Sequence, residues 1–224
     1  MKDYQKQFIN FLVSSGALTF GDFVTKSGRK TPYFVNTGNF NTGEKISEIG
    51  KYYASHVIAS GLGNVDVIFG PAYKGVPLSV STVTALFQDH KKNVGFSFNR
   101  KESKDHGDGG SLVGTKLSAG MKVVIVEDVI TAGTTVREVV PLIHSFGDIS
   151  ILGIVISVDR AERGTGALSA VAEAEKDQGV KVFPIVNIHQ IVEYLSSANS
   201  SGFVLTSDLK GRIASYLEEY GAKQ

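Results

Sequence analysis

Two adjacent carboxylates, Glu127 and Asp128, followed by Thr131, Ala132, Gly133, Thr134 and Thr135, are the residues of this chain best suited to chemistry. A loop of small and hydroxylic residues can turn consecutive N–H groups and hydroxyls onto one phosphate, and a helix that starts there points its positive end at the same place. The carboxylates cannot bind phosphate, but they can hold the hydroxyls of a sugar or the water shell of Mg²⁺. Ahead of them, Val123, Val124, Ile125 and Val126 form a β-branched run suited to a strand buried on both faces of a parallel sheet. Behind them, Val136, Val139, Val140 and Ile143 recur at helical spacing. Without the acids, the loop would read as an ordinary strand-to-helix turn with a threonine cap.

Cations supply the second group of candidates. Lys74 lies in Gly70-Pro71-Ala72-Tyr73-Lys74-Gly75, between an apolar run at 65–69 and an apolar helical pattern at 76–87. A lysine in a glycine-bounded loop at a strand's C-terminal end can meet a diphosphate as a mobile point charge, although the loop alone is also compatible with a plain turn. Residues 100–110, RKESKDHGDGG, contain no apolar anchor, and they carry Arg100, Lys101, Lys104 and His106 among three glycines. Such a segment is solvated surface by default and has equally the make-up of an active-site lid. Lys26 and Arg29 stand in a turn, where charges are usually solvated. Arg160 follows Asp159 at the end of an apolar run and would by default pair with a neighbouring acid.

The elements that must position these groups alternate. Apolar periodicity predicts helices over 4–14, 44–60, 76–87, 167–178, 189–197 and 207–220, and strands over 65–69, 94–98, 123–126, 149–158 and 180–186. Residues 18–40 read as short strands and turns outside this alternation. Parallel neighbours require crossovers, so 44–186 implies an α/β fold: a parallel sheet of about five strands flanked by helices. The loops at 70–75, 99–110, 127–135 and 159–160 all follow strands and should converge on one sheet edge. We expect one domain, 1–224, with a core at about 44–186 and a small hood from 1–43, to which 187–224 could add.

The chain has 224 residues, 42% hydrophobic and 20% charged, a net charge of +1 and no cysteine. This composition can bury an ordinary core, and it excludes disulfides and thiol catalysis. A near-neutral charge lacks the basic footprint of a nucleic-acid binder. No apolar run approaches the roughly 20 residues of a membrane span, and the N-terminus lacks a signal-peptide pattern. The expectation is a soluble cytoplasmic protein with neither nucleic-acid nor membrane partners.

The run from 123 to 135 resembles the phosphoribosyl pyrophosphate (PRPP) signature of the type I phosphoribosyltransferases, with Glu127 where many members carry Asp. Three further segments, KSGR with PYF at 26–34, GPAYKG at 70–75 and RKESKDHGDGG at 100–110, resemble the orotate phosphoribosyltransferases, with Val35 in place of the usual second Phe. The resemblance implies transfer of phosphoribosyl from PRPP to orotate with Mg²⁺, carried mainly by PRPP and pyrophosphate and not by a direct protein site. It implies Lys104 and Asp128 as catalytic. PRPP would be bound by Lys26, Tyr73 and Lys74, by Arg100, Lys101 and His106 of the lid, and by Glu127, Asp128, Val129, Ile130, Thr131, Ala132, Gly133, Thr134 and Thr135. Orotate would meet Phe34, Val35, Thr131 and Arg160. It further implies a homodimer in which Lys101 serves the neighbouring subunit.

Three other readings compete. A PRPP-sensing regulator of the same fold would need a basic face or an added DNA-binding module, and neither is apparent. A transferase for another base would keep the PRPP signature but not the orotate loops. A dinucleotide-binding enzyme is suggested by Gly164 and Gly166, yet Ser169 stands where the third small residue belongs.

Overall fold

The computed structural model describes residues 1–25, 28–102, 111–197 and 202–222. Lys26, Lys104 and His106 therefore lie outside the described residues. In chain order the elements are α1 (Asp3–Ser14), β1 (Leu18–Val24), β2 (Lys30–Val35), α2 (Gly43–Ala59), β3 (Val67–Phe69), α3 (Gly75–His90), β4 (Gly95–Asn99), β5 (Leu112–Gly114), β6 (Lys122–Glu127), α4 (Thr134–His144), β7 (Ser150–Asp159), α5 (Ala170–Gln178), β8 (Val182–Asn187), α6 (Ile188–Leu195) and α7 (Ser207–Tyr220).

The main sheet has the order β5-β4-β3-β6-β7-β8. Its five parallel strands are those expected from the alternation, and β5 adds a sixth that runs antiparallel to β4 at the edge. Three residues ending in glycine carry no periodicity to announce a strand, which is why β5 was not expected. It forms because residues 111–114 lie alongside β4, with Arg100 N–H donating to the Ser111 carbonyl at 2.7 Å.

Alternation across the pleat distributes the core to both faces. Val124 and Val126 of β6 join Ile68, Val155 and Ile185 beneath α1, α2, α3 and α6, whereas Val123 and Ile125 join Phe69, Ile154 and Ile156 beneath α4 and α5. Contact between α2 and α3 is close: a Cβ on Gly50 would lie 2.5 Å from the Ser81 carbonyl oxygen. α5 begins at Ala170, three residues later than its periodicity suggested, because the Ser169 hydroxyl caps the Ala172 N–H at 3.0 Å.

β1 and β2 form a separate antiparallel hairpin. The C-terminal helix α7 packs on it through Tyr216, edge-on to Tyr33 with ring centroids 5.7 Å apart, and through an Arg212–Asp22 ion pair. Among the described residues no helix is long and apolar enough to cross a membrane.

Candidate active site

β4 lies on one side of β3 and β6 on the other, so the strand order reverses at β3. Doubly wound sheets open a crevice at such a reversal, beyond the carboxyl ends of the strands. The loops after β3 and β6 border it, and their two most reactive residues meet there: Lys74 Nζ lies 2.7 Å from Asp128 Oδ2. The same oxygen accepts a 2.7 Å hydrogen bond from the Thr37 hydroxyl, which reaches it from a 3-10 turn at Thr37–Asn39. The loop carrying Lys74 is drawn tight by its flanking glycines. A Cβ on Gly70 would fall 2.0 Å from the Gly75 carbonyl oxygen, so no larger residue fits there.

The backbone of the acid pair is anchored from below. Tyr53 OH donates to the Glu127 carbonyl at 2.7 Å, while Ser157 donates its hydroxyl at 2.6 Å and its N–H at 2.9 Å to the Asp128 carbonyl. Glu127 is 7% and Asp128 6% exposed, yet their surroundings differ. Burial pushes the Glu127 carboxyl up, to about 8; the Asp128 N–H, bonded at 2.9 Å, opposes this and the Asp128 charge adds to it. For Asp128 burial also acts upward, but the Lys74 ammonium, the Thr37 hydroxyl and the Val129 N–H outweigh it and hold the carboxyl below its usual range. The two acids are therefore pushed apart: burial favours the protonated form of Glu127, and the partners of Asp128 favour its charged form.

Beyond the acids the chain turns into α4 through the small and hydroxylic residues 131–135. Gly133 takes a left-handed conformation at φ +69 and stands at the N-cap of α4, with Thr131, Ala132 and Thr134 exposed around it and Thr135 partly covered. Arg137 fixes this turn by donating to the Ala132 carbonyl, and its guanidinium also pairs with Asp177 at 3.5 Å. Ile130 is 7% exposed and packs in the core with Val136 and Val139, so only its backbone faces the loop; Val129 is half-buried.

On the β4 side of the Lys74 loop, Ala72, Tyr73, Asn99, Arg100 and Lys101 line another cavity, of about 460 Å³, with Tyr73 75% exposed. Asn99 Oδ1 accepts the Ala72 N–H at 2.9 Å and so ties the root of the 100–110 loop to the Lys74 loop. Lys101 Nζ lies 3.9 Å from Glu138 on α4.

On the hairpin, Phe34 and Val35 are half-buried, and Phe34 stacks on Phe23 at 5.7 Å. Arg160, at the end of β7, is paired, but with Glu162 two residues on and not with its neighbour Asp159. The Asp159 carboxylate instead accepts the Ala161 N–H at 2.8 Å. The competing glycine segment is already spent: the N–H groups of Thr165 and Gly166 donate to Glu173 at 2.8 and 2.5 Å, and no strand leads directly into it. The N–H groups of its two central residues are thus not available to a dinucleotide.

Thr37, Asn99, Arg137 and Glu162 were not singled out from the sequence. Asn99 alone left a signal there, as a polar residue closing an apolar strand just before the cationic loop. The other three are defined by partners distant in sequence or by loop geometry.

Comparison with known proteins gives a consistent result. A family model described as the phosphoribosyl transferase domain matches residues 36–186. The orotate phosphoribosyltransferase of Clostridium beijerinckii is 51% identical over 224 residues, covering all of both chains. That of Bifidobacterium longum strain DJO10A is 47% identical over 96% of this chain and 97% of its own. Among solved structures, the orotate phosphoribosyltransferase of Francisella tularensis superposes with a TM-score of 0.84 at 33% identity, covering 96% of this chain and 100% of its own. Likeness at this level, end to end in both sequence and fold, makes the chain a member of the orotate phosphoribosyltransferase family.

Proposed function

We infer that the protein transfers the phosphoribosyl group of PRPP to orotate, giving orotidine 5′-monophosphate and pyrophosphate in pyrimidine biosynthesis. The observation that carries the reading is the meeting of Asp128 with Lys74 at 2.7 Å beside the threonine cradle. An acid suited to sugar hydroxyls, a cation suited to a diphosphate and an anion cradle stand together at the sheet's switch point.

Breaking the C1′–O bond of PRPP builds positive charge on the ribose ring and negative charge on the departing diphosphate, as in glycosidic cleavage. Both ends need stabilisation away from water. Asp128 is placed for the ribose hydroxyls and for the ring's positive charge; neutral Glu127 can add a hydrogen bond beside it. Lys74, Arg100, Lys101 and Tyr73 suit the diphosphate, and Lys26, Lys104 and His106 complete that cationic set. The N–H groups and hydroxyls of 129–135 suit the 5′-phosphate. Phe34 and Val35 would cover the base, with Thr131 and Arg160 at its edge, where a guanidinium can take orotate's carboxylate bidentately.

Among the described residues no three acids or histidines gather into a metal cage. Mg²⁺ retains waters and phosphate oxygens when it binds such substrates, so the donors present suit an ion that arrives on PRPP, with Glu127 and Asp128 facing its water shell. The ion, when bound, would neutralise charge on the diphosphate.

The chain works as one domain, 1–224, whose core at about 44–186 is covered by a hood of the β1–β2 hairpin and α7. It acts in the cytoplasm as a homodimer in which Lys101 reaches the neighbouring subunit's substrate.

The test is direct: purified protein, Mg²⁺, PRPP and orotate should lose orotate absorbance and release an equal amount of pyrophosphate. Pyrophosphate release with another base but not with orotate would remove the substrate assignment. Lys104→Ala should lower kcat by orders of magnitude with a small effect on PRPP binding, and unchanged turnover would remove its catalytic role.

A further inference from the structure

Glu162 is the hub of a charged cluster that joins the hairpin to the end of β7. Its Oε1 accepts from Arg160 Nε at 3.0 Å, from Arg160 Nη2 at 2.7 Å and from Tyr33 OH at 2.9 Å. Its Oε2 lies 3.3 Å from Arg29 Nη1. The Arg160 guanidinium is also backed by the Tyr33 ring, 5.2 Å from its centroid, and its side chain is 13% exposed.

A guanidinium has two edges able to grip a carboxylate. Glu162 takes the Nε/Nη2 edge, which leaves Nη1 without a protein acceptor among the described residues. Arg160 is thus held in place without being used up. Charge points the same way: two guanidiniums share one carboxylate, so the cluster keeps a cationic excess. Asp159 does not cancel it, because that carboxylate turns to the Ala161 N–H.

The backbone is shaped for this pairing. Ala161 takes a left-handed conformation at φ +52, uncommon for a residue with a Cβ, and the turn it makes brings Glu162 back onto Arg160. The main chain of Glu162 is held separately, by a bridge to Gly221 and by the Ala170 N–H donating to its carbonyl at 3.1 Å. Its backbone therefore has anchors of its own besides the side-chain contacts.

We propose that Glu162 is a positioning residue: it clamps Arg160 by the inner edge so that the outer edge meets the carboxylate of an anionic base, and it locks that arrangement to the hairpin through Arg29. The inference rests on the orotate reading above and extends it to a residue that touches no substrate.

Orotidine 5′-monophosphate and uridine 5′-monophosphate differ only in the base carboxylate, so their dissociation constants isolate this arrangement. Measured by calorimetry, Glu162→Gln should weaken orotidine 5′-monophosphate about tenfold and leave uridine 5′-monophosphate within about twofold. Tyr33→Phe, which deletes one donor to Glu162 and conserves shape, should give a smaller loss with the same selectivity. Equal losses for both nucleotides in either variant would mean a merely structural role and overturn the proposal. Tighter orotidine 5′-monophosphate binding in Glu162→Gln would also overturn it, since Glu162 would then be a competitor for the site. If the wild-type protein fails to prefer orotidine 5′-monophosphate, the orotate reading itself falls, a result distinct from either outcome in the variants.

Discussion

Glutamine at position 127 tests the division of labour between the two acids. Burial raises the Glu127 carboxyl from 4.5 to about 8, so the folded protein keeps a proton there that the unfolded chain releases. Because the folded value lies above the unfolded one, the stability contributed by protonated Glu127 is complete below about 4.5 and is lost as pH rises toward 8. One proton is worth about 1.4 kcal/mol per pH unit, so wild type should lose about 2 kcal/mol relative to Glu127→Gln between roughly pH 5.5 and 7.5. Glutamine cannot ionise, fills nearly the same volume and can still accept the Asp128 N–H that Glu127 now takes at 2.9 Å. Urea unfolding of both proteins at the two pH values, at one ionic strength, gives the difference directly, because titrations elsewhere cancel between them. Parallel stability curves would mean that Glu127 is ionised when folded, and the assignment of the negative charge to Asp128 alone would fail. PRPP affinity supplies a second reading from the same variant: it should change little below pH 8, whereas Asp128→Asn, which removes the charged partner of Lys74, should weaken it at every pH.

Thr37→Val deletes a hydrogen bond to the charged Asp128 while Lys74 stays on the same oxygen, so the loss belongs at the low end, about 1.5 kcal/mol or roughly tenfold in kcat/KM for PRPP. The same change removes one of the groups that hold Asp128 down, and the acid limb of the pH–rate profile should move upward; an unmoved limb would refute the role given to this hydroxyl. Gly50→Ala forces α2 and α3 apart, because its Cβ would meet Ser81 backbone at 2.5 Å; we expect about 2 kcal/mol of destabilisation and a Tm lower by about 5 °C, measured by calorimetry.

The fold was legible where periodicity is strong. Val123, Val124, Ile125 and Val126 are buried on alternating faces of β6 because each faces a different helical layer, and a continuous β-branched run is the signature of that situation. The order of strands could not be read in the same way. Periodicity says which residues are buried but not which strand neighbours which, and β5 has too few residues to show a period at all. The reversal of strand order at β3, which opens the crevice, became visible only in the assembled sheet.

The site divides along the same line, between local composition and distant pairing. Gly133 and its threonines can be read as a candidate anion-binding turn because a turn, its N–H groups and its hydroxyls all lie within a few consecutive residues. Thr37 announces nothing: its partner Asp128 is 91 positions away, and a threonine beside a glycine has the make-up of any turn. Arg160 shows how local reasoning reaches the right interaction through the wrong partner. By default a strand-end arginine beside Asp159 would pair with its neighbour, although the resemblance assigns Arg160 to the base; adjacent side chains on an extended strand point to opposite faces. Once Ala161 turns left-handed, the next residue on the right side is Glu162, and Arg29, 133 positions earlier, joins the same carboxylate. Charge type and sequence distance thus nominate the chemistry, while the backbone conformation of a single intervening alanine decides which acid performs it.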